Sequence, residues 1–320
     1  MVDALRVSTL PCFFGAIFGC GPIASPIWFT RLLLAWLALS GLGVVFAAAP
    51  ESSTGAALLD KYTSLADRLQ QNSYQRPLYL DSTESGTDIE GDIYAVVDYP
   101  FATVNAGLND PDNWCDVLSL HLNTKYCRVT PENAKTMLRV SIGKKFSQPL
   151  EDAYTLEFTY RVTASTAKYL EIQLSAEKGP MGTRNYRIQV QAIPLANGRT
   201  FLHMTYFYAY GWAGRIAMKT YLATIGSGKV GFTVTRRQGN GQPEYIRGMR
   251  GLVERNAMRY YLAIDAYLGA FAAPPSQQLQ KRLQAWFTAT EQYRRQLHEM
   301  ERSAYIGMKL TENLRQRTMR

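Results

Sequence analysis

The sequence predicts an α+β fold in which a curved antiparallel sheet wraps on a long C-terminal helix, with extra helices around them. Three observations carry this. Segments between residues 92 and 210 alternate apolar and polar side chains at period two, the pattern of a sheet wet on one face and covered on the other. Asn197-Gly198 sits between the last two of them as a hairpin signal. The stretch 244–271 then keeps an apolar stripe at steps of three and four, which is a helix with one buried face.

Each element follows in chain order. Arg31, the apolar run 32–46 "LLLAWLALSGLGVVF" and Ala47, Ala48 and Ala49 have the layout of a secretory signal peptide. The run is shorter than the roughly 20 residues of a spanning helix. Residues 1–49 therefore read as a leader and the rest as an exported, periplasmic protein; a leader left uncleaved would make it a membrane anchor instead. Residues 50–90 read as an N-terminal helix, with Leu58, Leu59, Tyr62, Leu65 and Leu69 at helical spacing, and then a turn-rich segment around Ser85 and Gly86.

A strand at 92–100 leads into one or two short helices broken at Pro111. Extended segments come next, and three of them alternate without a fault. Leu156, Phe158, Tyr160 and Val162 oppose Thr155, Glu157, Thr159 and Arg161; Leu170, Ile172 and Leu174 oppose Glu171, Gln173 and Ser175; Tyr186, Ile188 and Val190 oppose Arg187, Gln189 and Gln191. Residues 213–226 read as a short amphipathic helix, followed by a strand-like "KVGFTVT". In 244–271 the stripe is Ile246, Met249, Val253, Ala257, Tyr260, Ile264, Tyr267 and Phe271, a helix of about 42 Å if unbroken. Pro274 and Pro275 end it. Residues 276–320 carry Leu279, Leu283, Trp286, Thr290, Tyr293, Leu297 and Met300 at heptad steps and a net charge of +5, a basic amphipathic helical tail.

The order of a strand, two short helices, a run of antiparallel strands and one long helix resembles the helix-grip fold of the START and polyketide-cyclase-like (SRPBCC) superfamily. Residues 91–271 carry the resemblance, through "GDIYAVVDYPFATVNAGLNDPDNW" at the front and "GMRGLVERNAMRYYLAIDAYL" at the back. It implies an apolar ligand held between the bent sheet and the long helix; some members carry lipids or sterols, others catalyse cyclisation or dehydration. No signature motif accompanies it, so it transfers no catalytic residue.

The chain's formal charge is +9, and losing Arg6, Arg31 and Asp3 with the leader leaves +8. Outside the cytosol such a balance serves solubility or an anionic membrane surface rather than nucleic acid. Export also decides the cysteines. Cys115 and Cys127 are the only two beyond the leader, with His121 between them. A metal site wants more ligands than one imidazole, and a nucleophile wants a free thiolate. The pair reads as a disulfide, which favours oxidising compartments.

Candidate site residues come from "FLHMTYFYAYGW", 201–212, which holds more apolar material than one covered face needs. It is either covered on both faces or lines a cavity. The cavity-lining candidates are His203, Tyr206, Phe207, Tyr208 and Tyr210, with Phe158 and Tyr160 from an earlier strand and Met249, Tyr260 and Ile264 from the long helix. His203 has no readable partner for acid–base work. Asp110, Asp112, Asn113 and Asp116 miss the calcium-loop pattern, and "IGSGKV" misses the phosphate loop at Ala223 and Val230. No cofactor or metal is implied. The function expected is non-catalytic binding of a hydrophobic, lipid-like ligand between sheet and helix. Two alternatives stand beside it: a structural or interaction protein of the cell envelope acting through the basic tail, and a cyclase- or hydrolase-type enzyme on the same scaffold.

Overall fold

The computed structural model describes residues 51–211, 214–216, 220 and 228–319. The expected leader and most of the expected helix at 213–226 lie outside the described residues. Eight strands form one sheet: β1 (Leu78–Ser85), β2 (Asp88–Val97), β3 (Thr124–Glu132), β4 (Lys135–Ile142), β5 (Tyr154–Ser165), β6 (Leu170–Lys178), β7 (Thr183–Pro194) and β8 (Thr200–Tyr210). Every neighbouring pair is antiparallel, in the order β1-β2-β8-β7-β6-β5-β4-β3. Helices α3 (Phe101–Leu108) and α4 (Pro111–Ser119) link β2 to β3, and the long helix α5 (Gly248–Ala270) follows the sheet. This is the helix-grip architecture.

Local chemistry sets the joints. Asp110 caps α4 by accepting from the Asp112 amide at 2.9 Å, with Pro111 in the first turn, where a missing N–H costs nothing. Gly198 adopts φ +77° in the β7–β8 turn, a conformation open to glycine. The Cys115–Cys127 disulfide is present, tying α4 to β3 across a Cα separation of 5.3 Å.

The inner face of the sheet meets α5 closely. A Cβ built on Gly91 would lie 3.3 Å from the Ala257 Cβ and 3.4 Å from the Val253 Cγ2, so glycine lets the helix lie directly on β2. Val253, Ala257, Met258, Leu262 and Ala263 are completely buried there.

Four differences from the expected layout have physical reasons. The segment 78–85, expected as turns, is the edge strand β1: Leu78, Leu80 and Ser82 alternate inward, and the turn proper is confined to Gly86 at φ +61°. The sheet thus begins before residue 91. The outer face is not simply wet, because α1 (Glu51–Ser64) and α2 (Ala66–Gln70) cover its β1-β2-β8-β7 end, burying Leu58, Leu65 and Leu69 against Val96, Ile193 and Phe201. The long helix starts at Gly248 rather than 244, since Pro243–Tyr245 pairs with Val234–Arg237 as a two-stranded ribbon; its 23 residues span about 35 Å.

The tail, finally, is no separate appendage. It folds as α6 (Pro275–Glu291), a short α7 (Arg294–Leu297) and α8 (Arg302–Thr318). Trp286 and Tyr305 stack at 4.9 Å inside the main core, and Arg282 bonds Asp116 of α4 at 2.7 Å. Lys125 and Lys309, both buried, share Glu312 at 2.9 and 2.8 Å and donate to the carbonyls of Leu122, His121 and Thr124. Two of its cations, Arg282 and Lys309, are thus committed inside the fold, while Lys281, Arg294, Arg295, Arg302 and Arg317 stay exposed.

Candidate functional site

Strand β8 divides the candidate residues between two faces. The register sets Tyr94 opposite His203 and Gly91 opposite Tyr206 across β2 and β8. Tyr206, Tyr208 and Tyr210 therefore turn inward with Gly91, while His203 and Phe207 turn outward with Tyr94 and Glu90. His203 and Phe207 do not line the space between sheet and helix. The reason is period two itself: 203 and 207 differ in parity from 206, 208 and 210. The apolar surplus of β8 is explained by cover on both faces, since Phe201 lies under α1 with its ring 5.1 Å from that of Tyr62.

On the outer face the polar groups form a closed network. His203 has Asp92 Oδ1 2.7 Å from Nε2 and Gln191 Oε1 3.0 Å from Nδ1. Gln191 donates to the Tyr169 hydroxyl at 2.7 Å, Tyr169 donates to Glu171, and Thr205 donates to Asp92 at 2.7 Å. The imidazole stacks on Tyr94 at 4.1 Å. Beyond this network, β4 to β8 form an open trough lined by Glu157, Arg161, Lys178 and Arg187, a charged setting unsuited to an apolar ligand. A shallower apolar groove lies beside α1, where Leu59, Tyr169, Ile193 and Pro194 meet.

The middle of the interior is filled. Ile172, Leu174, Val190, Leu202 and Met204 have 0 % of their surface accessible, so no water-sized void touches them. Phe158, Tyr160 and Ile264 belong to this packed region. Met249 packs against its edge, at the end of the sheet near Glu84, Tyr210 and Arg215.

One end is built differently. Tyr206 and Tyr208 pack with Tyr186 and Tyr260: ring centroids lie 5.3 Å apart for Tyr186–Tyr208, 5.7 Å for Tyr206–Tyr208 and 5.2 Å for Tyr206–Tyr260. His121 stacks on the other side of this row, 4.8 Å from Tyr260. Burial pushes the Tyr206, Tyr208 and Tyr260 hydroxyls upward, so each stays protonated and able to donate. The Tyr208 hydroxyl and the His121 Nε2 are buried with no hydrogen-bond partner among the described residues. Such atoms are rare in native interiors and cost about 1–3 kcal/mol each when left unpaired. Burial, then the cations of Arg259, Lys309, Lys145 and Lys125, hold His121 well below the ordinary imidazole range, so it is neutral.

Next to His121 and Tyr260, three cations converge on one carboxylate. Glu299 accepts from Lys145 at 2.6 Å, Arg259 at 2.8 Å and Lys229 at 3.0 Å. Burial alone would raise its pKa, yet Arg259, Lys145 and Lys229 hold it down to about 2. Lys145, desolvated and beside Arg259, is lowered to about 8.

Tyr186, His121, Lys145, Lys229, Arg259 and Glu299 were not among the residues the sequence singled out for this site. A period-two tyrosine on β7 was the one visible signal. The others meet across separations such as 121 to 260 and 145 to 299, which local pattern does not encode.

Neither a protein-family model nor a curated protein matches the chain. Among solved structures it is similar to human StAR-related lipid transfer protein 5, at 9% identity over 54% of this chain and 89% of that one, with a TM-score of 0.30. It is similar also to a norcoclaurine synthase point mutant from Thalictrum flavum, at 10% identity, 45% and 91% coverage and a TM-score of 0.32. A third is a conserved protein of unknown function from Enterococcus faecalis, at 10% identity, 66% and 91% coverage and a TM-score of 0.31. Overlaps this loose carry no weight on ligand or chemistry; the helix-grip architecture stands on the strand order and helix themselves.

Proposed function

We propose that the protein binds a hydrophobic ligand, lipid-like in class, at the tyrosine-lined end of the interior between β7, β8 and α5. The observation that carries this is the Tyr208 hydroxyl, buried among aromatic rings and unpartnered among the described residues while the polar groups on the outer face of the same strand are joined in one network. A ligand's oxygen would satisfy it, and the surrounding rings offer the apolar contact. The packed middle limits the ligand to this end unless side chains there move. The role is non-catalytic: near the tyrosines the neutral His121 has no carboxylate partner among the described residues to make it a general base.

Export to an oxidising compartment belongs to the same proposal. The leader-like 32–46 segment and the Cys115–Cys127 disulfide support it.

Native mass spectrometry of protein purified without detergent tests the binding. The expected result is an adduct of a few hundred daltons that organic solvent releases, lost or much reduced in Tyr208→Phe. A bare polypeptide mass from the folded wild-type protein, unchanged when lipid is supplied, overturns the proposal.

A further inference from the structure

Lys145, Lys229 and Arg259 meet at one carboxylate, and among the described residues Glu299 is the one they share. Its neighbours Glu291 and Glu301 are turned to Arg294 and His298. The stretch 212–227, which joins β8 to Lys229, contains no aspartate or glutamate in its sequence. Among the described residues the cluster therefore sets three cations against one shared carboxylate.

Its placement is graded. Arg259 is 2 % exposed and Glu299 9 %, whereas Lys145 and Lys229 keep 27 % and 26 % of their side-chain surface open. Lys145 Nζ has a single hydrogen-bond partner among the described residues, leaving donors for another acceptor. On the inner side, the residue after Arg259 is Tyr260, whose ring meets both Tyr206 and His121. Arg259 and Lys145 act on the His121 imidazole, which stacks on Tyr260, so the cluster adjoins one end of the row of tyrosines.

We infer that this cluster is the site for an anionic oxygen group, carboxylate or phosphate, at the polar end of the ligand, with Glu299 holding the place of that anion in the unliganded protein. The inference rests on the ligand-binding reading above and narrows it to anionic amphiphiles. Arginine and lysine grip such groups by charge-assisted hydrogen bonds, which strengthen where water is partly excluded. Glu299 sits on the short connection between α7 and α8, outside the sheet. The ligand's anion then exchanges for the protein's own.

The test is a set of titrations, followed by melting temperature and by isothermal calorimetry, with dodecyl phosphate, dodecanol and inorganic phosphate. The inference expects dodecyl phosphate to bind at least tenfold tighter than dodecanol, and inorganic phosphate to bind far more weakly than either. In Lys145→Met/Lys229→Met the preference for dodecyl phosphate over dodecanol should vanish while dodecanol binding persists, which also shows that the variant is folded. Glu299→Gln should bind dodecyl phosphate several-fold tighter than the wild type, because the internal competitor is gone. Equal affinity for dodecyl phosphate and dodecanol, unaffected by the lysine changes, overturns the inference and leaves the ligand-binding reading standing. Inorganic phosphate as effective as dodecyl phosphate overturns the assignment to an amphiphile's head. Absence of binding by both amphiphiles overturns the ligand-binding reading itself.

Discussion

The two faces of strand β8 put similar side chains to opposite ends. Outward, His203 is held between Asp92 and Gln191, and Gln191 runs on to Tyr169 and Glu171. Inward, Tyr208 and His121 keep buried polar atoms without a partner among the described residues, and His121 lies close to Arg259 and Lys145, which share Glu299. A protein that needs polar groups only for stability satisfies them, because each orphan costs about 1–3 kcal/mol. The outer network therefore reads as structure and the inner end as a place kept for something else. Without the inner orphans, the histidine with an aspartate partner would have looked like the more functional of the two.

Several experiments break or sharpen that contrast. The largest effect is expected at Glu299. Glu299→Ala leaves three cations facing one another and should cost about 3 kcal/mol of unfolding free energy, the low end for a broken buried ion pair because two of the lysines reach water. Urea denaturation measures it, and a cost under about 1 kcal/mol would mean the cluster is ordinary surface charge.

His203→Ala comes next. It removes the hydrogen bonds to Asp92 and Gln191 and the stack on Tyr94, and should cost about 1–2 kcal/mol without changing ligand affinity. A selective loss of binding would move the site to the outer face. Tyr208→Phe should do the reverse. Deleting an unpaired buried hydroxyl should raise unfolding stability by about 1 kcal/mol in the ligand-free protein while weakening ligand binding. Destabilisation without a binding change would show the hydroxyl to be satisfied after all.

The pH dependence reads the same ion cluster without a substitution. Glu299 has a folded pKa near 2 against 4.5 in the unfolded chain, so its contribution is complete above pH 4.5 and lost as pH falls through that range toward 2. Lys145 works in the opposite direction. Its folded pKa is about 8 against 10.5 unfolded, the unfolded chain binds more protons between these values, and stability rises with pH across that window. In Glu299→Gln the acid limb should flatten; an unchanged limb below pH 4.5 would assign acid sensitivity to other carboxylates.

The sheet was legible because its information is local. Alternation in β5, β6 and β7 and the Asn197-Gly198 turn are short-range patterns, and period two leaves little freedom once one face is buried. Strand β1 was hidden because its inward Leu78 and Leu80 run into Asp81, Ser82, Thr83 and Ser85, residues that by themselves favour turns. The tyrosines of β8 face the helix, but period two sends His203 and Phe207 the other way, and the middle is packed. The cation cluster was illegible for a different reason. Lys145, Lys229, Arg259 and Glu299 come from four separate segments, and only the return of 276–320 onto the sheet brings them together. A heptad stripe foretells that such a segment packs, not where.

Hydrogen exchange with and without dodecyl phosphate tests the central claim most directly. Slower exchange at residues 186–190, 204–210 and 255–264, with altered exchange around Lys145, Lys229 and residues 298–301 and residues 55–69 unchanged, is the result the account predicts. Protection appearing instead at residues 55–69 and 166–169, the apolar groove on the outer face, would contradict it.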